Sequence, residues 1–455
     1  MKNNYQPLWI VLTITLFSAS CKKFTDAGQP KNQLTSSEVF ADSTDANSAL
    51  LGLYVNMMQS FALNITSGGM TLYPGLSADE LAQTAANATV NEFYVNNISP
   101  ANTANANLWT SAYKDIYMAN AIIAGVSSPD ISAAARNRIT AEAKFLRSFI
   151  YFNLVNLYGA VPLVTTPDYT ISSVVGRTSP GVVYSQLITD LQFAESNLPA
   201  VVSANDRATS YAASALLAKI YLYEGKYDLA QAEASKVISS GAFSLVADLN
   251  GVFLAGSSET IFKLDPVIPG KPTWEGYTFV PSSASVLPRY ALTATLYNAF
   301  ETGDLRKAKW IKVNTVRGKQ YPYPYKYKQY TSPGTPGEDE VVFRLAEMYL
   351  VRAEAEANQN NVSSGIQDVN IIRNRAGLAT TSATDKNSLL AAIRQEKRVE
   401  YFCEWGNRWL DLKRWNLANQ VLGTQKPNWN TNAQLYPVPA SEITRNPNLV
   451  QNPGY

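Results

Sequence analysis

Two glutamates one helical turn apart pose the first chemical question. Glu396 and Glu400 lie in the stretch EKRVEYFCEWGNRWLDLKRW, residues 396–415. Acids at i and i+4 have Cβ atoms about 5–6 Å apart, so their carboxyls can approach the separation used by retaining glycosidases. A general acid also needs a raised pKa. The same twenty residues hold four acids, five bases and three tryptophans. Arg394, Arg398, Arg408 and Arg414 are close in sequence, and Arg373 and Arg375 lie just upstream in IRNRAGL. Guanidinium in such excess keeps carboxylates ionised, the reverse of what an acid catalyst requires. These residues favour a structural ion network over a catalytic pair.

The element that must position the two acids is a helix, read over residues 388–403. Leu389, Ala392, Ile393, Val399 and Cys403 share one apolar face of it. Glu396 and Glu400 fall within that face, where unpaired charge is costly. Cys403 reads as a small buried hydrophobe. Trp405, Trp409 and Trp415 read as the lock on a turn between two helices.

Composition removes whole classes of chemistry. The chain has 455 residues, a formal net charge of +2 and a 46% hydrophobic share. Near-balanced charge gives no broad basic surface, so no nucleic-acid partner is expected. There is no histidine, which excludes His-dependent triads, shuttles and metal sites. Cys21 and Cys403 are the only cysteines, too few for a disulfide framework or a four-cysteine zinc site. No cofactor and no metal-ligand set is expected.

The N-terminus supplies an address. Lys2 precedes an apolar run, Leu8 to Ala19, that is too short for a comfortable membrane span. Ser18-Ala19-Ser20 then leads into Cys21. This pattern predicts a lipoprotein signal over residues 1–20, cleaved before a lipidated Cys21. An ordinary secretory signal is the competing reading. Acyl chains anchor firmly only when there is more than one.

The rest of the scaffold reads as helical and repetitive. In residues 211–241, Ala218, Tyr221, Gly225, Ala230, Ala234 and Val237 follow the small-large-small spacing of a tetratricopeptide pair. The turn is placed at Glu224-Gly225-Lys226, and Gly241 suits a C-cap. Leu108, Ala112, Ile116 and Ala119 share a face in residues 105–125. Residues 141–164 are apolar nearly all round, hence buried, and end at Gly159 with Pro162 beyond. Residues 344–359 repeat the Ala-x-x-Tyr spacing at Ala346 and Tyr349. Four stacked helix pairs fit the count. Two stretches read as long irregular loops, residues 60–104 and 242–335, and loops of that length tend to carry function.

The opening stretch closely resembles the signature of the SusD/RagB family of Bacteroidetes outer-membrane lipoproteins. The resemblance extends through CKKF, AEAKFLRSFIYFNLVNLYGAVPLV, FRLAEMYLVRAEA, VNIIRNRAGL and LYPVPASEITRNPNLVQNPGY. Ser18, where leucine is commoner, and Trp415, where threonine is commoner, depart from the pattern. The resemblance implies a mainly α, tetratricopeptide-like superhelix of about four helix pairs with an irregular ligand-binding part. It implies residues 21–241 as an N-terminal region and 242–455 as a C-terminal one. The latter has a loop-rich insert at 242–340 and scaffold helices over 341–455. It implies a non-catalytic surface binder with a glycan ligand, held to the outer membrane by its lipid anchor and facing outward. The implied partner is a SusC-like TonB-dependent barrel. Glu400, Arg408 and Asp411 belong to the scaffold in that picture.

Candidate ligand contacts rest on composition and placement. A sugar site needs flat aromatic faces and a few amides and carboxylates. Trp274 and Tyr277 sit with Glu275 in a Pro/Gly-rich stretch. Tyr73, Asp79, Glu80, Tyr94 and Asn97 lie in the first long loop. Each aromatic could instead pin its loop to the scaffold. YPYPYKYKQY, residues 321–330, reads as a stacking ladder, an edge strand or a polyproline-like segment. Four functions remain open: glycan capture, peptide capture, a hydrolase using Glu396 and Glu400, and a scaffold binding only proteins.

Overall fold

The structure is a computed structural model that describes residues 39–59, 62–200, 206–331 and 337–455. The signal segment and the lipidation site at Cys21 lie outside the described residues. Helices dominate, and they follow the apolar periodicity of the sequence. Ser43–Met58, Thr103–Gly125, Ala133–Tyr158 and Pro180–Asn197 pack in succession. Ser210–Tyr223, Tyr227–Ser239, Leu345–Asn358 and Val362–Arg375 continue the stack, and Lys386–Glu400 closes it. Some neighbours are joined by short turns, as in tetratricopeptide stacks, whereas Tyr227–Ser239 and Leu345–Asn358 meet across the whole of residues 240–344.

The predicted repeat pair forms as its spacing requires. Ala218, Tyr221, Ala230, Ala234 and Val237 are all buried. Gly225, at φ +72°, turns the chain between the two helices, a conformation costly for any side chain with a Cβ. Small residues matter at the next crossing too. A Cβ on Gly365 would stand 3.1 Å from the Ala353 carbonyl oxygen, so a larger residue would push those helices slightly apart.

Three sequence readings need correction. The helix expected over 388–403 spans Lys386–Glu400, and Cys403 lies beyond it at φ +51°. The chain leaves the helix there because Tyr401 caps it and the Trp405 region turns back toward the core. The expected loop at 60–104 contains two short helices, Gly69–Ser77 and Ala88–Tyr94, and a strand, Leu81–Gln83. Pro74 inside the first of these and many small polar residues around it hide its helical pattern. The expected irregular stretch at 242–335 contains strands as well as short helices.

Strand Leu81–Gln83 pairs antiparallel with Tyr290–Leu292, and Thr260–Leu264 pairs with Glu340–Arg344. Ile311–Val316 pairs with Lys319–Pro324, which gives the first half of the tyrosine ladder its edge-strand form. Val161–Pro162 pairs with Arg177–Thr178. One hydrophobic cluster runs from Phe40 to Leu449, so the change of element type near residue 241 does not divide the core. Among the described residues no helix is long and apolar enough to cross a membrane.

Candidate functional site

The glutamate pair sits at the centre of the molecule. Glu396 and Glu400 are both fully buried. Glu396 accepts from Arg306 at 2.9 Å and from Arg373 at 2.6 Å. Glu400 accepts from Arg306 at 3.1 Å, from Arg344 at 2.5 Å and from Arg375. Burial alone would raise the Glu400 carboxyl. Arg375, Arg344 and Arg306 together hold it well below the ordinary carboxylate range instead. An acid in that state has no proton to give, and no substrate reaches it. The pair is a knot of charge, not a catalytic dyad.

Two of the four arginines that tie the knot, Arg306 and Arg344, come from afar. Arg306 also grips Asp304 with two nitrogens, at 2.8 and 2.9 Å. Arg344 bonds Glu404 at 2.9 and 3.0 Å and Glu259 at 3.1 Å. Of the nearby arginines, only Arg373 and Arg375 reach the pair. Arg398 and Arg408 bind Asp79, and Arg414 binds Asp411 and Glu354. Local sequence shows how many guanidiniums are present, but not which carboxylate each one meets.

The tryptophans spread rather than lock a single turn. Trp405 donates to the Val341 carbonyl at 2.8 Å. Trp409 packs edge-on against Trp429, with ring centres 6.0 Å apart. Trp415 donates to Glu354 at 2.7 Å.

Most candidate ligand contacts face inward. Tyr73 is buried and stacks on Phe93, centroids 4.5 Å apart. Asp79 is buried under Arg408 and Arg398. Burial opposes its charge, but the two guanidiniums keep its carboxyl below the usual range. Glu80 is buried beside it, accepts from the Cys403 backbone N–H at 3.2 Å, and is pushed up to about 8 by burial and by Asp79. Trp274 is only 6% exposed and donates to the Met58 carbonyl at 3.4 Å. Glu275 is buried and accepts from Thr71 at 2.7 Å. These five offer no open face to a ligand. The Pro/Gly-rich composition around Trp274 frames a short helix, Trp274–Phe279, whose Thr273 cap turns the indole inward. Tyr94 is half-buried beneath Lys426, 4.3 Å from its ring, and Asn97 is exposed.

Tyr277 behaves differently. It is half-buried, as Tyr94 is, but lies parallel to Tyr330, with centroids 5.8 Å apart and planes 6° from each other. Gly276 makes the pairing possible. A Cβ there would lie 2.2 Å from the Gln329 carbonyl oxygen, so the two segments could not meet with any other residue. Lys271 stands 4.4 Å from the Tyr277 ring centre and Arg289 5.3 Å. Arg289 adjoins the Tyr290–Leu292 strand, whose Tyr290 faces Gln83 across the register. Gln83 donates to Asn91 at 2.6 Å. The result is a face of tyrosines fringed by cationic and amide groups. Sequence reasoning missed Lys271, Arg289 and Gln83. Tyr330 closes the tyrosine-rich run, but nothing local marks it as the partner of Tyr277.

Comparison with known proteins follows the fold. A profile described as SusD family matches residues 273–455, and one described as starch-binding associating with outer membrane matches residues 27–222. The chain belongs to the SusD family. SusD-like protein P25 of Formosa agariphila is 28% identical, with 97% of each chain aligned. A SusD superfamily protein from Bacteroides vulgatus superposes with a TM-score of 0.80 at 24% identity, over 91% of this chain and 100% of that one. A laminarin-binding SusD-like protein superposes with a TM-score of 0.75 at 24% identity, over 90% and 99%. The Glu396–Glu400 knot therefore belongs to a SusD scaffold, built where the closing helix of the stack meets a short helix and a strand from the middle of the chain. The family description associates such chains with the outer membrane.

Proposed function

We propose that this SusD-family chain captures glycan without cleaving it, at the face built around Tyr277 and Tyr330, and delivers it to a SusC-like TonB-dependent barrel. The observation that carries the reading is the parallel, half-buried tyrosine pair. Flat aromatic surface stacks on the apolar face of a pyranose ring, and amphipathic Tyr loses little entropy in doing so. Lys271 and Arg289 stand against the Tyr277 ring and carry no ion pair among the described residues, so their N–H groups are available to sugar oxygens. Tyr94 and Asn97 extend the polar surface beyond Asn91. Trp274, Glu275, Tyr73, Asp79 and Glu80 shape this region from beneath. The family description of starch binding and the laminarin-binding neighbour accord with a glycan ligand. A lipid on Cys21 would hold the chain at the outer face of the outer membrane.

The test is calorimetry on residues 22–455 with starch, laminarin, other plant and microbial glycans, and mixed peptides. Glycan binding without release of shorter sugars is expected. Tyr277→Ala and Tyr330→Ala should each weaken it by roughly 10- to 100-fold, the range of an aromatic hot spot. Undiminished binding in both variants would remove this face as the site. Binding of peptides alone would replace glycan capture with peptide capture. Co-purification of the lipidated protein with an outer-membrane barrel tests delivery separately.

A further inference from the structure

Two cavities lie side by side on the helical scaffold, away from the tyrosine face, with Tyr223 and Arg414 as their common wall. The first, about 400 Å³, is lined by the end of the Ser210–Tyr223 helix and by the Leu345–Asn358, Lys386–Glu400 and Asn407–Arg414 helices. The second, about 510 Å³, opens onto Lys413.

Charge around this wall does not balance. Glu354 is held by Arg414 and Lys397, Asp411 by the same two, and Glu224 by Lys226. Two basic side chains remain without a carboxylate among the described residues, although burial pushes Lys413 down to about 7. Lys413 donates only to the Asn156 carbonyl. Arg394 makes no hydrogen bond among the described residues, and its Nε is buried with no acceptor. The Arg394 guanidinium lies 5.6 Å from the ring centre of Trp415, and both line the 400 Å³ cavity. A buried guanidinium nitrogen without an acceptor is costly, and a planar fork is matched best by a carboxylate.

We propose that this cavity binds a small organic carboxylate, its acid group on Arg394 and its body against Trp415 and Tyr223. The volume admits a ligand of one or two sugar rings, and a uronic acid combines that size with the acid group Arg394 would take. The site stands apart from the tyrosine face and is tested independently of it.

The experiment titrates residues 22–455 at low salt with galacturonate, glutarate, neutral galactose and an acidic tetrapeptide. Saturable binding of galacturonate is expected, with none for galactose. Tighter binding of galacturonate than glutarate would assign the ring to the Trp415 and Tyr223 walls. Equal binding would leave the acid group alone as the recognised part, and still support the proposal. Arg394→Gln should weaken binding by about tenfold or more, as for loss of a charge-assisted bond. Its melting temperature, and glycan affinity at the tyrosine face, should stay at wild-type values. Should Arg394→Gln fail to fold, Trp415→Phe provides the second variant, with a loss for galacturonate larger than for glutarate. No carboxylate binding in the wild type, equal binding of galactose, or an unchanged affinity in Arg394→Gln would overturn the proposal. Binding of the peptide alone would also overturn it and mark a protein-docking surface.

Discussion

Replacing Glu400 by Gln tests whether the glutamate knot is architecture or chemistry. The substitution keeps shape and removes one charge. Glu400 is fully buried and accepts from Arg306, Arg344 and Arg375. The new amide retains one acceptor oxygen. Its NH2 turns donors toward guanidiniums that are themselves donors only. Glu396, Glu404, Glu259 and Asp304 still hold the arginines, so the cluster loosens rather than empties. Breaking a buried pair from one side costs about 3–5 kcal/mol. Against a typical total of about 5–15 kcal/mol that is a large share. Urea unfolding followed by tryptophan fluorescence should show the midpoint falling by roughly 1 M, taking that cost over the denaturant slope of a large chain. Glycan affinity in the folded variant should equal that of the wild type. A midpoint unchanged within scatter would refute the structural reading. So would a stable, folded Glu400→Gln that had lost binding, or a wild-type hydrolytic activity that the variant lacks.

Three further outcomes follow from the same geometry. Trp274→Ala should cost about 3–5 kcal/mol of stability, as expected for emptying a buried aromatic site. Differential scanning calorimetry reads this, and a variant as stable as wild type would return the indole to the surface. Glu80 is raised to about 8, so its favourable contribution is complete below about 4.5 and is lost as pH rises through about 8. Glu80→Gln should therefore gain on the wild type in melting temperature between pH 5 and pH 9, and a gap that is flat or moves the other way contradicts the burial argument. Gly276→Ala should displace the Gln329 backbone and separate the tyrosines, weakening glycan binding while far-ultraviolet circular dichroism stays constant. Full affinity in Gly276→Ala would detach the pairing from function.

Local sequence carried the helices because their information is local. Apolar spacing along residues 105–125 and 211–241 places each buried face without reference to any distant residue. The Glu224-Gly225-Lys226 turn was legible for the same reason, since only a glycine takes φ +72° at little cost. The ion knot was legible in kind: two acids on an apolar face had to be neutralised. Its wiring was not. Arg306 and Arg344 lie far upstream and meet Glu400 only when the Leu305–Trp310 helix and the Glu340–Arg344 strand dock against the closing helix.

The proposed binding face shows the limit more sharply. Composition identified an aromatic, glycine-rich stretch, but composition does not say which side of a short helix meets the core. Trp274 and Tyr277 are three residues apart, and the fold buries the first and leaves the second half-open. The sequence by itself determined the helical repeats, the family signature and the absence of histidine chemistry. Only tertiary structure decided which arginine serves which glutamate, and which tyrosine stacks on which. Those choices depend on segments distant in the chain being brought within a few ångströms, and no local pattern records that distance.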